Sequence, residues 1–127
     1  MMDIDHFKDI NDTYGHDTGD KVLKLLVAEA HGILRGTDMF SRWGGEEFIV
    51  LLPESHDHQA STVAERLRGN LSKIEISTDS GALIRFTVSI GMTVVENKND
   101  LLDDIVKKVD KALYMAKKQG RNRVVVL

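Results

Sequence analysis

Gly44-Gly45-Glu46-Glu47-Phe48 sets two glycines and two consecutive carboxylates ahead of an apolar run. Glycines allow a tight turn and let a bulky ligand come close to the main chain. Carboxylates on such a turn are hard oxygen donors. Mg²⁺ takes one or two of these, with water and substrate phosphates completing its shell, so the inventory suits a nucleotide site. Adjacent residues of a strand point to opposite faces, so Glu46 and Glu47 share a cation only where a turn or bulge re-aims one of them. Asp3 and Asp5 lie two apart at the end of a short strand-like run, Met1-Met2-Asp3-Ile4, and face the same way. A first strand lying beside the Gly44-Gly45 hairpin would bring Asp3 to one of the glutamates. Taken alone, such an acidic cluster is more often a solvated turn.

Other reactive side chains say less. His56-Asp57-His58 has the spacing of a weak chelating pair in a polar stretch with no third ligand nearby. Trp43, beside the hairpin glycines, fits strand packing better than stacking on a ligand. Cysteine is absent, which excludes disulfides, thiolate zinc sites and a cysteine nucleophile, and fits a reducing cytoplasm. With 127 residues the chain makes one domain, and its net charge of −3 argues against a general nucleic-acid binder. No run reaches the roughly 20 apolar residues of a membrane helix.

The elements that must position these groups follow from periodicity. Apolar residues at spacings of three and four predict helices over Lys21–Arg35 after a cap-like Asp17-Thr18, over Gln59–Leu71, and over Leu101–Ala116 with Gly120 as a stop. A shorter helical turn runs from His6 to Asp12 and ends at Tyr14-Gly15. Alternation from Ile84 to Val94 predicts one half-buried strand. Phe48–Leu52 reads as a central strand, Met39–Trp43 as its hairpin partner and Val124–Leu127 as a last strand. Helices on an antiparallel-rich sheet make an α+β sandwich.

Asp3-Ile4-Asp5-His6-Phe7-Lys8, Asn11-Asp12, Gly15-His16 and Gly19-Asp20 precede the hairpin, and Ala116-Lys117-Lys118-Gln119-Gly120-Arg121-Asn122-Arg123 follows it. In order and approximate spacing these resemble the GGDEF family of diguanylate cyclases, here with GGEEF at the hairpin, over nearly the whole chain. The resemblance implies an antiparallel-rich sheet flanked by helices, the nucleotidyl-cyclase and polymerase-palm (ferredoxin-like) architecture. It implies condensation of two GTP into cyclic di-GMP with release of two pyrophosphates by a homodimer.

By position, Asp3, the Ile4 carbonyl and Glu46 would bind Mg²⁺ or Mn²⁺, with Glu47 assisting. The Phe7 main chain, Lys8, Lys117 and Arg121 would hold the triphosphate, with Gly44 and Gly45 admitting it. Asn11 and Asp20 would read the guanine edge, and Leu23 would pack on the base. Arg35-Gly36-Thr37-Asp38 matches the family's RxxD product-inhibition motif for cyclic di-GMP, with Arg66 as a further arginine. Taken singly, each of these residues also fits an ordinary structural role: a turn pair, a helix-end charge, a charged strand entry.

The family's domain begins earlier, with a helix, a DxLTGLxNR-type turn and a full first strand. The chain is therefore expected to be an N-terminally truncated GGDEF domain, cytoplasmic, from a longer protein, membrane-anchored or not, with an upstream sensor or receiver domain. The competing expectation is a catalytically incompetent module that binds cyclic di-GMP or GTP.

Overall fold

The computed structural model describes residues 1–95 and 99–127. The elements in order are β1 (Met2–Ile4), α1 (Phe7–Tyr14), α2 (His16–Ile33), β2 (Met39–Gly44), β3 (Glu47–Leu51), α3 (Asp57–Leu71), β4 (Ile76–Ser77), β5 (Leu83–Ile84), β6 (Val88–Met92), α4 (Leu102–Lys118) and β7 (Val124–Val126). Five strands form one sheet in the order β2-β3-β1-β6-β7, and β4 and β5 form a separate ribbon. All pairings are antiparallel except β6 with β7. The α+β, antiparallel-rich architecture expected from the sequence is what the chain adopts.

β1, only three residues long, stands in the middle of the sheet, and the apolar run read as a central strand forms β3, an internal strand between β2 and β1. Its alternation decides which helices cover which face. Met2 and Ile4 pack with Phe48, Val88 and Ile90 against Val22, Leu26 and Ala30 of α2 and Ala64, Leu67 and Leu71 of α3. Met1, pointing the other way, packs with Val109 and Leu113 of α4. Asp3 and Asp5 therefore lie on the α4 face.

Four further expectations are corrected by tertiary structure. α2 starts at His16, because Gly15 (φ 88°) makes the whole corner after α1. Asp17 and Thr18 fall inside its first turn, where the Thr18 hydroxyl donates to the Tyr14 carbonyl at 2.9 Å. The run from Ile84 to Val94 is two strands: Leu83–Ile84 leaves the main sheet to pair with Ile76–Ser77, and only Val88–Met92 joins β1. β6 is buried on both faces rather than half-buried. Its small polar positions serve packing: a Cβ on Gly91 would lie 2.3 Å from the Leu113 nitrogen and 2.4 Å from the Val109 carbonyl oxygen. Glycine there lets α4 lie directly on the sheet. Trp43 is 54% exposed and packs no core.

Candidate active site

The hairpin between β2 and β3 is irregular where the chemistry needs it to be. Pairing shifts between Arg42 and Gly44, and Gly45 adopts φ 54°. The extra residue is Trp43 of β2, opposite the start of β3, and Glu46 falls in the turn itself while Glu47 opens the strand. The Arg42 Nε donates to the Gly45 carbonyl at 2.7 Å and pins the turn. Arg42 has no special signature in the sequence beyond its place two residues before the glycines.

β1 brings Asp3 to this hairpin. Asp3 is directly paired with Glu47, so the two carboxylates share a face, and the Ile4 N–H donates to the Glu46 carbonyl at 3.3 Å. A strand residue sends its N–H and C=O to the same side, so the Ile4 carbonyl also faces the hairpin. From the opposite direction the last turn of α4 delivers Lys117, whose Nζ donates to Asp3 Oδ2 at 2.8 Å. Burial raises the Asp3 carboxyl above the ordinary carboxylate range; the Lys117 ammonium opposes this, and the charges of Glu46 and Glu47 add to it.

The donor set fits a hard divalent ion. Asp3 is a buried carboxylate already drawing a cation to itself, with a backbone carbonyl and two half-buried glutamates alongside. Among the described residues no group of three or more His, Asp or Glu side chains is arranged to hold a metal by itself. An ion here would draw its remaining ligands from the Ile4 carbonyl, water and phosphate, which is the Mg²⁺ habit rather than the zinc one.

Phe7, expected at the triphosphate, and Asn11, expected at the base, both meet Gly19 of α2: a Cβ on Gly19 would sit 1.9 Å from Asn11 Oδ1 and 3.3 Å from Phe7 Cζ. Gly19 thus sets the close approach of α1 to α2 at Asn11. Leu23, one turn on, lines a groove of about 520 Å³ with Phe40, Arg42 and Phe48. Phe40 stacks on Phe48 at 5.4 Å. Lys8 is not gathered to Asp3: it pairs with Asp12 at 2.5 Å on the surface of α1, and that carboxylate holds its ammonium above the ordinary value. Arg121 follows α4 in a left-handed conformation, φ 63°.

At the RxxD segment, Asp38 Oδ2 accepts the Arg35 backbone N–H at 2.7 Å, closing a turn. Arg35 and Asp38 line a groove of about 480 Å³ with His31 and Phe40. Arg66 stands on the exposed side of α3 and does not line it. His56 occupies the N-cap position of α3.

A helix-covered sheet whose central strand meets a carboxylate-bearing hairpin is the layout of a cyclase-palm domain. The sequence profile described as "Diguanylate cyclase, GGDEF domain" matches residues 1–123. The chain is 46% identical over 125 residues to diguanylate cyclase DgcM of Escherichia coli, an alignment covering 98% of this chain and 29% of that protein. Its fold matches the GGDEF domain of DgcB from Caulobacter crescentus, solved in complex with c-di-GMP, at TM-score 0.93 and 32% identity over 98% of this chain and 74% of that one. It matches the active GGEEF domain of a Vibrio cholerae diguanylate cyclase at TM-score 0.86 and 33% identity, covering 98% and 78%. The chain belongs to the diguanylate cyclase GGDEF-domain family. It spans less than a third of the length of DgcM.

Proposed function

We propose that this domain condenses two GTP molecules into cyclic di-GMP, each of two facing subunits holding one nucleotide. The observation that carries the reading is the meeting of Asp3, Glu47 and Lys117 at the irregular hairpin. Asp3, the Ile4 carbonyl and Glu46 would hold Mg²⁺ (or Mn²⁺), with Glu47 beside them; the ion, when bound, neutralises charge developing on the phosphates. The Phe7 main chain, Lys117, Arg121 and Lys8, the last on leaving Asp12, hold the triphosphate, and Gly44 and Gly45 leave room for it. The paired donors of guanine, N1–H and the exocyclic amine, suit Asp20 with Asn11, and Leu23 supplies an apolar wall.

The 3′-hydroxyl of one GTP attacks the α-phosphorus of the other. The bond to the β-phosphate oxygen breaks, pyrophosphate leaves, and the hydroxyl proton is lost; the second half-reaction repeats this in the other direction. Positioning and charge neutralisation supply the catalysis. Incubation with GTP and Mg²⁺, followed by chromatography with mass detection, tests this. Cyclic di-GMP that appears with the parent chain and not with Glu46→Gln supports the reading; turnover by that variant overturns it.

The groove beside Arg35 and Asp38 favours a second ligand site, for the product. An arginine fork suits phosphate or the Hoogsteen edge of guanine, and Asp38 suits its N1–H and amine. Calorimetry with cyclic di-GMP separates this site from catalysis. Binding lost on Arg35→Ala supports product inhibition there, and binding retained removes it. A domain that binds cyclic di-GMP without making it would be a receptor module.

A further inference from the structure

We infer that Asp5 is a positioning residue for the phosphate-binding end of the site, holding the left-handed turn from which Arg121 projects. The inference rests on the placement of Arg121 at the triphosphate. Asp5 is only 5% exposed, yet among the described residues no cation pairs with it. Its carboxylate instead accepts from three neutral donors on two distant parts of the chain. Ser89 Oγ donates to Oδ1 at 2.6 Å, and Thr87 Oγ1 donates to Oδ2 at 2.6 Å. The Asn122 backbone N–H also donates to Oδ2, at 3.1 Å.

That third bond is the informative one. Arg121 (φ 63°) and Asn122 (φ 45°) are consecutive non-glycine residues in the left-handed region. Such conformations are unfavourable for L-residues and persist where the surroundings over-determine them. Here the surroundings are identifiable. The Arg121 N–H donates to the Ala116 carbonyl at 3.0 Å, continuing off the end of α4. Arg68 of α3 donates through Nη1 to Asn122 Oδ1 at 2.8 Å. The Ile90 N–H donates to the Arg123 carbonyl at 2.9 Å, returning the chain to the sheet. Asp5 accepts the Asn122 N–H at the apex and ties it to the end of β1, two residues from Asp3.

β1 and the residue that follows it thereby carry both ends of the site: Asp3 for the cation and, through Asp5, the backbone of a phosphate-binding arginine. The spacing of two puts both carboxylates on the α4 face, which is why a single strand can serve the two tasks. Loss of the Asp5 carboxylate frees the apex, and Arg121 is no longer held in register with Lys117.

The test compares GTP with GMP binding by calorimetry, in the parent chain, Asp5→Asn, Asp5→Ala, Arg121→Ala and the Asp5→Asn/Arg121→Ala double variant, with circular dichroism confirming each fold. Asp5→Asn preserves the side-chain volume, so it is the variant to read if the alanine does not fold. The expected result is about tenfold weaker GTP binding in the Asp5 variants, GMP binding unchanged, and no further loss when Asp5→Asn is added to Arg121→Ala. Equal weakening of GTP and GMP, or full additivity in the double variant, assigns Asp5 to general stability and overturns the inference. Unchanged GTP affinity in the Asp5 variants with loss in Arg121→Ala overturns it while leaving the triphosphate placement standing. Unchanged GTP affinity in Arg121→Ala overturns both.

Discussion

Lys117 and Asp3 form an ion pair at 2.8 Å, with the carboxylate 8% and the ammonium 33% exposed. The pair joins the last turn of α4 to the central strand, beside Glu47 of the hairpin. The lysine expected to hold phosphate thus rests on the carboxylate expected to hold the metal.

One consequence concerns metal affinity. A cation entering at Asp3 competes with the Lys117 ammonium, and a charge-assisted hydrogen bond of this kind is worth roughly 1.5–3 kcal/mol. Lys117→Met should therefore bind Mn²⁺ about tenfold more tightly in the absence of nucleotide while binding GTP more weakly. Electron paramagnetic resonance titration of free Mn²⁺ reads the first effect. Equal Mn²⁺ affinity in the two proteins would remove the competition.

The second concerns catalysis without loss of fold. Glu46 is half-buried on the turn, outside the apolar core. Glu46→Gln should lower cyclic di-GMP formation by about 10²-fold or more, with unfolding free energy within about 0.5 kcal/mol of the parent. Urea unfolding and product chromatography measure the two halves. A large loss of stability would mean that Glu46 is structural.

Asp3 should also leave a mark on the pH dependence of stability. Burial first, then the charges of Glu46 and Glu47, raise its carboxyl above 3.8 despite Lys117. Between 3.8 and the raised value the folded state holds more protons than the unfolded one. Stability from this group is then fully present below pH 3.8 and falls as pH rises through the folded pKa. The stability of the parent relative to Asp3→Asn should decline across that window and be flat above it. A difference that grows with pH there would reverse the sign and refute the burial account.

Two glycine substitutions should separate binding from folding. On Gly19 a methyl group would meet the far end of the Asn11 side chain at 1.9 Å, a contact the side chain relieves by moving. Gly19→Ala should cost about 1 kcal/mol of stability and weaken GTP binding through the displaced Asn11. On Gly91 the methyl would meet the backbone of α4 at 2.3 Å, and a helix does not step aside. Gly91→Ala should cost about 3 kcal/mol or more. Thermal melts and GTP titration of both variants check the contrast, and a Gly91→Ala protein as stable as its parent would contradict the close approach of α4.

Much of the site was visible as residues in order. Asp3, Glu47 and Lys117 meet in the fold, and the need for a turn or bulge if adjacent glutamates are to share a cation follows from strand geometry alone. Lys8, given a phosphate role by the resemblance, meets Asp12 at i and i+4 on α1, a local partner that is available before any nucleotide is. Trp43 likewise reads as a packing residue in a strand, and is exposed because the bulge falls on it.

By itself the sequence determined the α+β class, the three long helices, the hairpin and the set of acidic and basic groups, because periodicity and turn chemistry are local properties of the chain. Tertiary structure alone decided the rest. It made a three-residue strand the centre of the sheet, split the Ile84–Val94 run between two sheets, and set Asp5 under a turn 117 residues away in sequence. Each of these is a pairing across long sequence distance, and a residue's own neighbours do not report which distant strand or turn will take its hydrogen bonds.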